Sequence, residues 1–158
     1  MNYMNTSVAN IHTDYYFNTS SFSNKSFVNT KIVNFISESN KRAIETLKSY
    51  AALDNNWDGY EALKPSNISI KKAISFILTL QEYNIDVYFV APTPDGDILV
   101  ETKSFDANLE FEFSSNSPDI IIASQDGELK SETELNDTTL VSYLRWLICP
   151  NGDCPPNL

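Results

Sequence analysis

The spacing of apolar residues in this chain changes from a helical period to a strand period near residue 86. Two segments, 38–52 and 66–84, carry apolar residues at intervals of three and four, which is typical of amphipathic helices. Farther along, Leu109, Phe111 and Phe113 alternate with glutamates, which is the pattern of a half-buried antiparallel strand. The chain is therefore expected to combine helices with an antiparallel sheet.

The strand-like region divides into several short segments and is followed by one more helical segment. Asp126-Gly127 favours a tight hairpin turn, and Asn136 or Asp137 can cap a helix that Pro150 ends. The predicted strands are 86–91, 97–104, 108–115, 120–124 and about 128–132. The predicted fold class is α+β: a two-layer, antiparallel four- to five-stranded meander with two N-terminal helices and one C-terminal helix.

A length of 158 residues matches one ordinary domain. Residues 1–30 are rich in Asn, Ser and Thr, with scattered aromatics, and are expected to form a polar arm that is partly disordered or docked. Residues 31–150 are expected to form the single α+β domain, and residues 151–158 a C-terminal tail.

The net charge is -10, from 21 acidic and 11 basic residues. Direct binding of nucleic acid is not expected, because neutralising phosphates requires clustered Lys and Arg. A basic protein is the expected partner, and the oligomeric state is left open. Neither a membrane span nor a secretory signal is apparent, so no membrane partner is expected and the predicted location is cytoplasmic.

Few groups in the chain suit metal or nucleophilic chemistry. Cys149 and Cys154 are expected to be free thiols in a reducing compartment, although their spacing could also close a small disulfide loop. They cannot fill a structural zinc shell, and the single histidine, His12, lies in the polar arm. No catalytic residue, metal site or cofactor is therefore predicted. This pattern favours a non-enzyme and leaves enzymatic activity open.

The segment Asn56–Ala62 predicts a structural turn between the first two helices. The Asp58 carboxylate can accept a bond from a backbone N–H two residues later, and Gly59 can adopt a positive φ. Trp57 and Tyr60 are expected to anchor the turn between the helices. The alternative makes Asp58 a catalytic acid and Trp57 a stacking platform.

The segment Pro92–Glu101 predicts a turn that enters a strand, and its letters resemble a metal-nuclease string. The corresponding alternative function is a metal-dependent hydrolase that uses Asp95, Asp97 and Glu101. Spacing disfavours it, because Asp97 and Glu101 lie four residues apart on one strand, roughly 13 Å at about 3.3 Å per residue.

The hairpin that follows is expected to present acidic residues on one face. A loop centred on Asp106-Ala107 would place Glu101 opposite Glu112 and Lys103 opposite Glu110. The predicted partner-binding residues on this outward face are Asp97, Glu101, Glu110 and Glu112. Two opposed glutamates cost stability, so the face is interpreted as a site for a basic partner or as a solvated surface that prevents aggregation.

Both motifs, N-W-D-G-Y-x-A and P-T-P-D-G-x-I-x-x-E, resemble those of an uncharacterised family of small bacterial and phage proteins. The resemblance covers residues 53–101 and implies a related fold rather than an activity. The leading functional hypothesis is a non-enzymatic acidic protein-binding module, such as an accessory, immunity or antitoxin-like inhibitor in a bacterial or phage conflict system. A DNA mimic is a further alternative.

Overall fold

The structure, a computed structural model, describes residues 36–149. The predicted arm, residues 1–30, and the predicted tail, residues 151–158, lie outside this range, as do His12 and Cys154.

Three helices and five strands follow one another along the described range. The elements are α1 (Glu38–Tyr50), α2 (Asn67–Glu82), β1 (Phe89–Pro92), β2 (Ile98–Ser104), β3 (Ala107–Phe113), β4 (Ile120–Gln125), β5 (Glu128–Glu134) and α3 (Asp137–Ile148). Each strand pairs antiparallel with the next, so the order in the sheet is β1-β2-β3-β4-β5. The predicted α+β class is confirmed, and the meander has five strands.

Each helix begins at a polar residue whose side chain accepts a backbone N–H of the first turn. Ser37 accepts from Asn40, and Ser66 accepts from Ile68. Asn136 forms a capping box with Thr139 at the start of α3. These caps satisfy N–H groups that have no partner within the helix, and they set where each helix starts.

The hydrophobic core contains side chains from all three helices and from alternate positions of strands β1 to β4. Within the core, the ring of Phe76 on α2 packs against β3, with its centroid 4.4 Å from that of Phe111 and 5.1 Å from that of Phe113. Alternate residues of β2 and β3 are buried, so the glutamates between them lie on the opposite face of the sheet.

A buried amide joins α1 to the connection between α2 and β1. The Asn40 side chain is fully buried; its Oδ1 accepts the Val87 N–H at 2.8 Å, and its Nδ2 donates to the Ile85 carbonyl at 3.1 Å. The same Nδ2 donates to Gln81 Oε1 at 3.0 Å. Because these bonds use the backbone of residues 85–87, β1 begins at Phe89 rather than at the predicted residue 86.

Cys149 is disulfide-bonded, so the expectation of a free thiol at this position is wrong.

None of the helices within 36–149 has the length and apolar character that a membrane span requires.

Candidate functional site

The two sequence motifs meet in the structure. The loop that joins α1 to α2 lies against the turn between β1 and β2, where the Leu63 N–H donates to the Pro94 carbonyl at 2.7 Å and the Ser66 N–H donates to the Gly96 carbonyl at 2.8 Å. Neighbouring backbones therefore hold these two turns together as one structural unit.

Asp58 accepts the backbone N–H two residues later, as the sequence predicts. One oxygen of its carboxylate accepts the Tyr60 N–H at 2.7 Å and the Ala62 N–H at 3.1 Å. Gly59 has a φ of +78°, the positive value that the turn was expected to need. The carboxylate thus holds two backbone N–H groups of its own loop, which agrees with a structural role for the turn.

The two aromatic residues of the turn differ from the expectation. Tyr60 is 88% exposed, so the prediction that it anchors the turn between the helices is wrong. Trp57 is half-buried, and its Nε1–H donates to the Leu63 carbonyl within the same loop. The turn is held instead by side chains that accept backbone N–H groups: Asp58 accepts from Tyr60, and Asn56 accepts from Glu61.

Gly96 is required where the two motifs touch. Its φ is +83°, and a Cβ at this position would lie 2.9 Å from the Lys64 carbonyl oxygen. Real Cβ atoms do not approach backbone oxygen this closely, so any other residue would push the loop away from the turn.

A second candidate site lies on the outer face of the sheet. We define the acidic face as the six carboxylate residues that project there from β2, β3, β5 and the residue preceding β2: Asp97, Glu101, Glu110, Glu112, Glu132 and Glu134. It includes all four residues predicted to bind a partner. Four apolar residues project from the same face and pair across strands with these glutamates: Phe89, Leu99, Ile120 and Ile122.

The pairing within this face is offset by two residues from the predicted register. Glu101 lies opposite Glu110, and Glu112 lies opposite Leu99. The turn consists of Phe105 and Asp106 rather than Asp106 and Ala107, because Ser104 pairs with Ala107. A shift of two residues preserves which side chains face outward, so the predicted faces hold although the predicted opposition of Glu101 and Glu112 is wrong.

Glu101 already has a cationic partner within the chain. Its Oε1 lies 2.8 Å from Lys103 Nζ, and its side chain is only 14% exposed. Lys103 Nζ also lies 4.1 Å from the centre of the Tyr88 ring. Glu101 is therefore less available to an external cation than the other carboxylates of the acidic face.

Glu112 lies in an environment that disfavours a negative charge. Burial raises the pKa of the Glu112 carboxyl, and the negative charges of Asp97, Asp95 and Glu132 raise it further. Its lateral neighbours Leu99 and Ile120 explain the loss of water. The ionised form of Glu112 thus costs the folded protein free energy.

We expect Glu112→Gln to raise the free energy of unfolding at neutral pH. Because the folded pKa lies above the unfolded value of 4.5, the folded state binds more protons than the unfolded state at pH values between the two pKa values. The wild type therefore loses stability as pH rises from the unfolded pKa through the folded pKa. The advantage of the variant should therefore shrink as pH falls below that window. Urea unfolding across pH measures it, with Glu45→Gln on the exposed surface of α1 as the control. Equal stability of wild type and Glu112→Gln at every pH would contradict the assignment.

The residues of the alternative hydrolase site are not brought together as a metal-binding group. Within 36–149, no set of three His, Cys, Asp or Glu side chains is arranged to hold a metal ion. Asp95 and Asp97 lie near Glu112 rather than with Glu101, which is bound to Lys103. A carboxylate held by an ammonium group is a poor ligand for a divalent cation.

Sequence reasoning assigned no role to Glu132 or Phe105, although each bears on the outer surface of the sheet. Glu132 reaches the acidic face because β5 pairs with β4 in the register Ile122–Glu132, which period-2 patterning alone does not specify. Phe105 is 95% exposed at the β2–β3 turn, and a lone aromatic between two strand patterns was the available signal.

The contact between the two turns gives a structural reason for both motifs to occur in one chain. The resemblance to the family that carries them remains a prediction. Comparisons with protein-family models, curated proteins and solved structures find no match to this chain.

Proposed function

We propose that this chain is a non-enzymatic protein-binding module whose acidic face engages a basic partner. The supporting observation is the arrangement of that face, where carboxylates project beside apolar side chains that are partly or largely exposed, and where the ionised form of Glu112 costs stability. Cationic groups of a partner would relieve this cost by pairing with the carboxylates. Apolar groups of the same partner would bury the exposed parts of the neighbouring apolar side chains.

The proposal extends to a biological role of one kind. A small acidic protein that covers a basic functional surface of its partner inhibits the activity of that partner. An accessory, immunity or antitoxin-like role in a bacterial or phage conflict system is such an activity. The net charge of -10 adds long-range attraction toward any basic partner.

Charge reversal on the acidic face tests this proposal. The affinity-tagged full chain should retrieve one basic protein in stoichiometric amount from lysate of the cells that naturally express it. Glu110→Lys combined with Glu112→Lys should retrieve much less, because rim electrostatics set association rates and like charges exclude partners.

The matched control reverses two exposed glutamates on helices, Glu45→Lys and Glu82→Lys. This double variant changes the net charge by the same amount but leaves the acidic face intact, and it should retrieve the partner as the wild type does. Equal retrieval by all three proteins, or equal loss in both double variants, would refute binding through the acidic face.

A further inference from the structure

Phe105 combines unusual exposure with an unusual backbone conformation. It is 95% exposed at the first position of the two-residue β2–β3 turn and has a φ of +53°. Glycine is favoured at a first turn position with positive φ, because a side chain there meets its own backbone. The turn therefore displays a large aromatic ring at a position where glycine would suit the fold better.

The turn that carries Phe105 is fixed to its neighbour. The Asp106 carbonyl accepts the Asp126 N–H at 3.0 Å, and the Asp106 carboxylate accepts Gln125 Nε2–H at 3.1 Å. These bonds tie the β2–β3 turn to the β4–β5 turn. An aromatic ring on a fixed backbone loses little conformational freedom when a partner binds it, which is the property of an interface anchor.

The charges around Phe105 indicate what kind of surface would receive it. Asp106 and Asp126 are exposed beside it. Lys103 on β2 and Lys130 on β5 are already paired with Glu101 and Glu128. A receiving pocket must therefore be apolar within and basic at its rim. A second copy of this chain, with its net charge of -10, and an anionic lipid surface are both electrostatically unsuited.

We propose that Phe105 is the anchor that inserts into an apolar, basic-rimmed pocket of the partner protein. This rests on the proposed function, since the turn continues the strands that carry Glu101 and Glu110 of the acidic face. The acidic face steers the partner and Phe105 supplies the buried contact, in keeping with the general division between rim charges and central aromatic anchors.

Photo-crosslinking at the anchor tests the proposal with the full chain. The photoreactive residue p-benzoylphenylalanine is placed at position 105, at position 110 on the acidic face and at position 60 as a second exposed aromatic site. Irradiation in lysate of the cells that naturally express the chain should yield an adduct with one basic protein from positions 105 and 110. The adduct should disappear when excess unlabelled wild-type chain is added.

Competition by variants separates the anchor from the general surface. Phe105→Gly should compete about 30-fold more weakly than wild type, the loss expected for a strong interface anchor. It should nevertheless have a higher unfolding midpoint, because glycine relieves the positive φ. Tyr60→Ala, which removes an equally prominent ring that is 88% exposed, should compete as the wild type does.

The outcomes distinguish the two proposals. An adduct from position 110 but not from 105, or full competition by Phe105→Gly, overturns the anchor and leaves the acidic-face proposal standing. No adduct from either position overturns both. Flotation of the wild-type chain with vesicles of anionic phospholipid, abolished by Phe105→Gly, would show that the ring inserts into lipid and would overturn the protein pocket.

Discussion

Replacing Asn40 by leucine is expected to lower the free energy of unfolding by about 2–4 kcal/mol. Leucine has the same number and branching of side-chain heavy atoms as asparagine, so it removes the hydrogen bonds without leaving a cavity. The Val87 N–H and the Ile85 carbonyl would then remain in the interior without the partners that Asn40 gives them. Each buried polar group that loses its partner costs about 1–3 kcal/mol, which explains the size of the effect.

Urea unfolding followed by circular dichroism measures this effect, with Lys41→Ala as the control. Lys41 is the next residue on α1, and it is exposed, so its truncation should shift the midpoint little. Asn40→Asp adds a second test, because it keeps the acceptor for Val87 but turns an oxygen toward the Ile85 carbonyl. Its cost should be greatest where the aspartate is ionised. An unchanged midpoint in Asn40→Leu would show that the amide does not hold α1 in place.

Replacing Gly96 by alanine is expected to cost about 2–4 kcal/mol, the sum of a positive-φ penalty and a steric clash. The new Cβ would lie 2.9 Å from the Lys64 carbonyl oxygen. The loop must then move away, which weakens the bonds from Leu63 to Pro94 and from Ser66 to Gly96.

Gly59→Ala is the matched control for the clash. Gly59 has a similar φ of +78° but nothing within 4 Å of a Cβ, so its cost should be only about 1–2 kcal/mol. The difference between the two variants isolates the contact between the motifs. Equal losses in both would mean that the loop adapts freely and that the close approach does not constrain Gly96.

Side-chain periodicity was sufficient to predict the order of the elements because burial of one face follows directly from it. The same periodicity could not determine the β2–β3 register, since pairings that differ by two residues bury the same side chains. Turn chemistry usually resolves such a choice, as Asp126-Gly127 does between β4 and β5. Phe105-Asp106 contains no glycine, so the sequence alone places this turn one residue too late.

The periodicity of side chains does not predict contacts between segments that are far apart in the chain. The bonds from Leu63 N–H to the Pro94 carbonyl and from Val87 N–H to Asn40 Oδ1 join residues that no local period relates. One signal was present, since Asn40 stands three and seven residues before Ala43 and Leu47 and thus occupies the apolar stripe of α1. A polar residue in that stripe indicates a buried hydrogen-bonding role.

The central claim is that the acidic face governs association with a basic partner. The most direct measurement is the association rate constant of the purified complex, by stopped-flow fluorescence, across a salt series. The Debye length falls from about 10 Å at 0.1 M to about 3 Å at 1 M, so the wild-type rate should fall steeply over that range.

The paired variants make the result specific. Glu110→Lys with Glu112→Lys should associate on the order of tenfold more slowly at low salt and respond weakly to added salt. Glu45→Lys with Glu82→Lys should retain most of the wild-type rate and its salt dependence. A wild-type rate that is independent of salt and unchanged by reversal of Glu110 and Glu112 would show that the partner binds elsewhere and would contradict the account.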